Sequence, residues 1–429
     1  MKKIIFAISL FLISQAAFGG QMEDFTLKNN IKVIFDKTNG IGVVSMKVFT
    51  PAAVVLETKE NAGISLLAAN LMVKSTKNRS SDILARDVDN IGADLSNLVD
   101  YDAQCISISF LSEYFDASAE ILADVIKNPA FDENEIYTEK RDIAAVLNAR
   151  KDSIFSTALD NFTINFYKDA PYALTVLGSE ESLNKITRSQ LEAWHKYSFN
   201  SSNILISVSG NIDKRTLKNT LEKYFGDIES GEKFKDVDFN VGGGEIKTIE
   251  IKGKFNQAYI MKGFLAPDLK DKDYISLKVT GAVLGGRMTS RLFTELREKL
   301  GLAYEVSAIY PSRTHKSYFV IYIGLDKKNI DITLKRIDEI LEDLRNNEVD
   351  AQELKDTKTY IKGLYIMDRQ TVDRKSYYYG WRESVGQGYE YDDKYLEEMD
   401  KVSGKDILKI ANKIFSKDSL TIIVRPDEK

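Results

Sequence analysis

A segment near the middle of the 429-residue chain is repeated 216 residues later, at the end of the chain. The first copy spans residues 185–208 and the second spans residues 401–424, and they align without a gap. Each copy begins with an N-cap signal, Thr187 or Ser403, followed three residues later by Gln or Asp. Apolar residues then recur at helical spacing, and a β-branched strand follows. The chain therefore consists of two similar halves.

Strands and helices occur in blocks rather than in strict alternation, which favours an α+β fold. We expect two homologous domains, each a mainly antiparallel sheet with helices packed on one face. The N-terminal domain is predicted over residues 22–235 and the C-terminal domain over residues 245–429, with a junction near Gly242–Gly244. Hydrophobic periodicity predicts helices over 61–75, 81–92, 113–127, 132–152, 271–285, 289–300, 328–346 and 350–369.

The first residues indicate export. Lys2 and Lys3 precede an apolar run over residues 4–18, and Gly19 follows, which is typical of a secretory signal peptide over residues 1–19. We expect an exported protein, periplasmic or secreted, without a transmembrane span. Without Lys2 and Lys3 the 59 basic residues become 57, against 64 acidic residues, so the net charge is −7. This balance argues against nucleic acid as a partner.

Histidine and cysteine are too rare for the usual metal sites. The chain has one cysteine, Cys105, and two histidines, His195 and His315, which are 120 residues apart. No His-x-x-x-His pair or Cys-x-x-Cys ligand set is possible, and we expect no zinc or other cofactor. We interpret Cys105 as a structural thiol and both histidines as solvated or capping residues. The sequence contains no Walker loop or dinucleotide fingerprint.

One stretch resembles a known family. Residues 301–306 (Gly-Leu-Ala-Tyr-Glu-Val), with residues 285–299 before them, are similar to the second-half signature of the insulinase or pitrilysin-like zinc peptidases. These include mitochondrial processing peptidases and their short bacterial relatives. Asn128–Phe131 and Gly178 add weaker matches. The resemblance implies that the two domains form one half of a clamshell.

The same resemblance implies a zinc motif that this chain lacks. In the family, a helix of the first half carries His-x-x-Glu-His, and a later helix supplies a third ligand, a glutamate. Leu66, Ala69 and Asn70 stand at the three motif positions here, and Val146 stands near the position of the ligand glutamate. None of these four side chains is a zinc ligand of the usual kind. The chain therefore cannot be an autonomous zinc protease.

The second-half signature retains two polar residues. By motif position, the resemblance implies that Arg297 and Tyr304 reach the substrate backbone across the cavity between the halves. The arginine would bind peptide carbonyl groups, and the tyrosine hydroxyl would donate to the developing oxyanion. Alternatively, Arg297 borders the leucine stripe of its helix, and Tyr304 is a half-buried strand aromatic. We expect Arg291 to be a structural ion-pair partner.

We predict a non-catalytic, substrate-positioning subunit of an exported heterodimeric zinc peptidase. A homologous partner chain would carry the zinc motif and the metal, and the substrate would be an extended peptide that adds a strand to a sheet edge. One alternative is a stand-alone periplasmic peptide-binding or chaperone-like module without catalysis. Another is an architectural subunit of an envelope assembly. The aromatic cluster Tyr377–Tyr379 with Trp381 belongs either to the core or to a peptide-binding surface.

Overall fold

The computed structural model describes residues 21–40, 42–239, 241, 247–416 and 418–427. The predicted signal peptide and the predicted junction at Gly242–Gly244 lie outside the described residues. Within the described residues, no helix combines the length and the apolar character needed to cross a membrane.

The first half contains strands and helices that alternate in blocks. Its strands are β1 (Gln21–Thr26), β2 (Lys32–Lys37), β3 (Val43–Thr50), β4 (Asp94–Val99), β5 (Gln104–Leu111) and β6 (Leu205–Gly210). Its helices are α1 (Ile64–Met72), α2 (Ser81–Asn90), α3 (Phe115–Lys127), α4 (Glu133–Lys151), α5 (Ile154–Tyr167), α6 (Glu180–Lys185), α7 (Arg188–Ser198) and α8 (Lys214–Phe225).

The second half follows the same plan. Its strands are β7 (Lys247–Gly253), β8 (Ala258–Ala266), β9 (Ala303–Ile309), β10 (Ser317–Leu325) and β11 (Leu420–Pro426). Its α-helices are α9 (Tyr274–Leu284), α10 (Ile330–Asn346), α11 (Ala351–Asp368), α12 (Val372–Ser384), α13 (Tyr391–Lys401) and α14 (Gly404–Phe415). A π-helical segment spans Phe293–Lys299. Short 3₁₀ turns lie at Val54–Leu56, Ser112–Tyr114, Pro171–Ala173 and Lys327–Asn329.

The two predicted N-caps of the repeat are present. Thr187 begins α7 and Ser403 begins α14, and in both cases a reciprocal capping box joins the cap to the residue three positions later. Phe199 and Phe415, which align in the repeat, are both buried at the ends of these helices. The repeat in sequence is therefore a repeat of structure.

Both sheets have the same strand order among the described residues. The first sheet runs β1-β2-β6-β3-β5-β4 and the second runs β7-β11-β8-β10-β9. β2 pairs parallel with β6, and β7 pairs parallel with β11, whereas the other pairings are antiparallel. β1 is an additional edge strand of the first sheet. This arrangement confirms the predicted α+β fold with two homologous, mainly antiparallel sheets.

Each half also contributes one helix to the opposite sheet, which the sequence did not predict. Helix α12 of the second half packs on β3 and β6, and helix α5 of the first half packs on β8 and β11. Glycines allow the close approach at both places. A Cβ atom at Gly380 would lie 2.2 Å from the ring of Phe49, and one at Gly263 would lie 2.2 Å from the ring of Phe162. The second face of each sheet is thus covered by the other half.

Buried aromatic residues of α12 form part of this contact between the halves. Tyr379 and Trp381 are buried, and the indole of Trp381 donates to the Asp100 carboxylate across 2.9 Å. The ring of Tyr377 lies 5.9 Å from the ring of Phe49. Tyr379 and Trp381 therefore belong to the core, and the half-buried Tyr377 packs against it.

Candidate functional site

Helix α1 carries three of the degenerate zinc positions. Ala69 is fully buried, while Leu66 and Asn70 are half-buried on the side of the helix that packs near α4. The helix begins at Gly63, whose φ of 92° lies in the left-handed region that favours glycine. α1 packs next to α4 and to the edge strand β4.

The N-terminus of α1 is held by a buried carboxylate. Glu57 is only 3% exposed and accepts hydrogen bonds from the backbone N–H groups of Gly63, at 2.8 Å, and Ser65, at 2.9 Å. Burial disfavours the charged form and raises the pKa of Glu57 to about 7, although these hydrogen bonds act in the opposite direction. Glu57 thereby fixes the start of α1 relative to the loop before it.

A polar bridge joins α1 to α4 near the degenerate positions. The carboxylate of Glu139 accepts a hydrogen bond from the Asn70 amide at 2.7 Å and pairs with the Lys74 ammonium at 2.6 Å. Val146, two helical turns further along α4, is 50% exposed. Leucine, alanine and valine offer no donor to a metal, and the nearby glutamate is already neutralised by a lysine. The residues at these positions do not fit a zinc ion.

No metal centre appears elsewhere in the parts of the chain that the structure describes. These parts hold no group of three or more His, Cys, Asp or Glu side chains arranged for a metal ion. His195 contacts the Ile126 carbonyl oxygen at 2.7 Å, and burial lowers its pKa. His315 contacts the Thr314 hydroxyl at 3.1 Å and stacks on Phe239. Both histidines have structural contacts in separate places.

Arg297 lies on the π-helical segment in the second half. Leu296 anchors this segment in the core, whereas Arg297 is exposed, with its guanidinium 5.1 Å from the centre of the Phe293 ring. Within the described ranges, the Arg297 side chain has no hydrogen-bond or ion-pair partner. By contrast, Arg291 pairs with Glu353 at 2.8 Å and with Asp343 at 2.8 Å, which confirms its predicted structural role.

Tyr304 lies on β9, which is an edge strand of the second sheet. The side chain is 60% exposed, so the alternative of a half-buried strand aromatic does not describe it. Its hydroxyl group has no hydrogen-bond partner among the residues that the structure describes. β9 contacts the π-helical segment directly, so Arg297 and Tyr304 lie on neighbouring elements. Both present unused hydrogen-bond donors to the surroundings.

The two sets of predicted site residues lie on different sheets. Leu66, Ala69 and Asn70 lie on α1, which packs on the first sheet, and Val146 lies on α4, which packs on α1. By contrast, Tyr304 belongs to the second sheet and Arg297 to the segment beside it. No described contact joins these sets. The chain therefore does not assemble one site from them.

Strand β4 is a further candidate binding element, and our prediction of elements omitted it. It pairs on one side with β5 and forms the free edge of the first sheet in the described part of the chain. α1 packs beside it, and Leu98 is 41% exposed on it. An exposed strand edge next to α1 can accept an extended peptide through backbone hydrogen bonds.

Two models of one peptidase family match the chain. The model described as insulinase (peptidase family M16) matches residues 32–180, and the model described as the peptidase M16 inactive domain matches residues 185–361. The chain belongs to the insulinase (M16) peptidase family. This confirms the resemblance inferred from residues 285–306. The match of residues 185–361 also supports a non-catalytic homologue.

Individual relatives of this M16 protein span nearly its whole length. An uncharacterized zinc protease of Rickettsia felis is 26% identical over 409 residues, which cover 94% of this chain and 97% of that protein. A protease from Helicobacter pylori has the same fold, with a TM-score of 0.88 and 20% identity, covering 95% of this chain and 100% of that chain. A peptidase M16 inactive domain from Pseudomonas fluorescens has a TM-score of 0.88 and 19% identity, covering 95% of this chain and 98% of that chain.

Proposed function

We propose that this chain is a non-catalytic, substrate-positioning subunit of an exported heterodimeric zinc peptidase. A homologous partner with an intact His-x-x-Glu-His motif would supply zinc and its activated water. The observation that carries the proposal is the contrast between the two halves. The first half has hydrophobic and amide side chains at the zinc positions. In the second half, Arg297 and Tyr304 are exposed and have no hydrogen-bond partner among the residues that the structure describes.

The second-half residues suit a site completed by another chain. An exposed arginine can donate two parallel hydrogen bonds to peptide carbonyl groups. An exposed tyrosine hydroxyl can donate to an oxygen that gains negative charge during acyl transfer. Neither side chain would have to break an internal hydrogen bond before it engages a substrate. Because the chain lacks a plausible base and ligand set of its own, these donors need a partner to contribute to catalysis.

The peptide would bind as an extended strand. The free edge of β4 lies beside α1, so a peptide paired with it would pass the positions of Leu66 and Asn70. This edge is also the observation that favours the second candidate, a periplasmic peptide-binding module without catalysis. Strand addition by itself requires neither zinc nor Arg297.

The two candidate functions differ in whether the chain acts together with a zinc-bearing partner. The mature chain is purified alone and also co-purified from its native cell, and peptide hydrolysis and metal content are measured for both samples. We expect the chain alone to hold no stoichiometric zinc and to cleave no peptide. The complex should contain a chain with His-x-x-Glu-His and show chelator-sensitive hydrolysis. Chelator-sensitive hydrolysis by the isolated chain, with one tightly held zinc, would contradict the proposal. Peptide binding without any such partner would favour the binding module.

A further inference from the structure

The second half contains a cavity of about 560 Å³ that has no role in the function proposed above. It lies between α9, α11 and the end of β9. Its walls are mainly aromatic and apolar, and they include Gly281 of α9, Ala308 of β9, and Tyr360 and Leu364 of α11. The Lys278 side chain also lines it. This volume is typical of pockets for small ligands and peptide side chains.

The cavity is the second-half counterpart of the space between α1 and α4. Helices α4 and α11 both begin at a capping aspartate, Asp132 and Asp350, whose side chains accept hydrogen bonds from the first backbone N–H groups. Counting from these caps places Leu364 where the first half has Val146. Helix α9 packs against α11 as α1 packs against α4. The cavity thus lies beside the helix pair of the second half that corresponds to α1 and α4 of the first half.

The two helix pairs differ in the side chains that lie between them. In the first half, Glu139 of α4 bridges to Asn70 of α1. Counting from the caps, the residue at the position of Glu139 is Thr357, whose hydroxyl donates to the Glu353 carbonyl oxygen of its own helix at 2.7 Å. Gly281 on α9 offers no side chain to bridge the gap. The cavity therefore remains available to a ligand.

Lys278 lines this cavity and has an N–H donor available to a ligand. The Lys278 ammonium donates to the Tyr310 carbonyl oxygen at 2.6 Å, and it lies 4.8 Å and 5.3 Å from the ring centres of Tyr310 and Tyr274. Within the described residues, no carboxylate lies within 4.0 Å of this ammonium. Burial lowers the pKa of Lys278, because the charged form is poorly solvated there. The Tyr310 carbonyl oxygen takes one of its three N–H donors and the Tyr274 side chain is a second hydrogen-bond neighbour, so one donor is left for a ligand.

The surrounding side chains carry more positive than negative charge. Arg369 and Arg382 share a single carboxylate, that of Asp392, at 2.6 Å and 2.8 Å. Asp368, which also lines the cavity, pairs with Arg374 at 2.7 Å. Among the described residues that line the cavity, Lys278 and Arg369 are cations and Asp368 is the carboxylate, and Arg369 is already paired with Asp392. A bound carboxylate would pair with Lys278.

We propose that this cavity is a binding site for a carboxylate carried on an aromatic or apolar body. The carboxylate would accept hydrogen bonds from the Lys278 ammonium, and the body would pack against Tyr360, Leu364 and Ala308. A peptide that ends in a bulky apolar residue has this chemistry, and so does a small aryl-alkyl carboxylic acid. The site needs neither a partner chain nor a metal, so it stands or falls separately from the peptidase proposal.

The first test compares ligands that differ only in charge. N-acetyl-diphenylalanine with a free carboxylate, its C-terminal amide, and 3-phenylpropanoate are titrated into the mature chain by calorimetry. We expect the free acid to bind about tenfold more tightly than the amide, or better, because a charged hydrogen bond is lost in the amide. If the peptide acid binds more tightly than phenylpropanoate, the source is a peptide C-terminus, and equal affinities indicate a small acid. Equal affinities of peptide acid and amide, or no binding of either acid, would overturn the proposal.

The second test uses matched variants. Lys278→Met keeps the length of the side chain and should abolish the preference for acid over amide. Leu364→Glu places a like charge on the cavity wall and should weaken binding of the acid about tenfold. Ile366→Glu is the control, because Ile366 is exposed on the same helix and does not line the cavity. If Lys278→Met fails to fold, the comparison of Leu364→Glu with Ile366→Glu decides. Equal binding by the two glutamate variants, or an unchanged preference in Lys278→Met, would refute the assignment.

Discussion

Replacing Glu57 with glutamine should change how the stability of the protein depends on pH. In the folded protein, burial raises the pKa of Glu57 from its ordinary value of 4.5 to about 7. The folded state therefore binds more protons than the unfolded state between these two values. It follows that Glu57 lowers stability progressively as pH rises from about 4.5 to 7, and the loss is complete above pH 7.

The size of the effect follows from the two pKa values. A shift from 4.5 to about 7 corresponds to roughly 3 kcal/mol of stability lost between the two limits. Glutamine has no charge to lose, so the stability of Glu57→Gln relative to the wild type should rise by about this amount over the same pH range. The glutamine NH₂ group faces one of the two backbone N–H donors. That mismatch costs about 1–3 kcal/mol, but it is the same at every pH.

The assay is the difference in Tm between Glu57→Gln and the wild type at pH 5, 6, 7 and 8. For a half of this size, about 1 kcal/mol corresponds to about 2–4 °C, and roughly three quarters of the loss falls between pH 5 and pH 8. The difference should therefore move by roughly 5–10 °C towards the variant. Glu60→Gln is the control, because Glu60 is exposed three residues away and its variant should show no such trend. A flat difference for Glu57→Gln would refute the reasoning. It would mean that the two backbone N–H donors and the N-terminus of α1 stabilise the charged carboxylate enough to offset its desolvation, so that its pKa is not raised.

Three further predictions concern other parts of the chain. In the reconstituted peptidase complex, Tyr304→Phe should lower turnover about 10²–10³-fold, or roughly 2.7–4 kcal/mol, without changing Tm, because the hydroxyl has no internal partner; undiminished turnover would make Tyr304 a surface residue only. Phe162→Ala should destabilise the protein by about 3–5 kcal/mol in denaturant unfolding, since its buried ring packs on Gly263 of the opposite half; a cost below about 1 kcal/mol would contradict that contact. Cys105 should react with iodoacetamide at pH 8 at least ~100-fold more slowly in the native than in the denatured protein, because burial raises its pKa to about 12; rapid native labelling would contradict its burial.

Features encoded by local patterns were predictable from the sequence. The capping boxes at Thr187 and Ser403 are short-range signals, and so is the apolar periodicity of the helix that follows each cap. The structure contains both caps and both helices. The helix predicted over residues 132–152 begins where Asp132 caps it. Such signals act within a few residues, so a single sequence is enough to find them.

Features that depend on distant partners were not predictable. Helix α5 buries Phe162 against the second sheet, and nothing in its own sequence indicates which sheet it joins. Strand β4 was omitted because an edge strand buries little and alternates only weakly. The segment predicted as a helix over residues 289–300 contains a π-helical stretch, and hydrophobic spacing does not distinguish that geometry from an α-helix. The domain boundaries at residues 235 and 245 stay predictions.

The candidate site shows the same division between local identity and distant contact. The prediction that the positions of Leu66 and Asn70 do not hold zinc needs only the chemistry of their side chains, and it stays a prediction. The sequence did not indicate that Glu139 remains next to Asn70 and is paired with Lys74. A buried carboxylate on α4 is costly without a cation or a hydrogen-bond donor nearby. Asn70 and Lys74 supply both, so a polar bridge between α1 and α4 stabilises this helix pair.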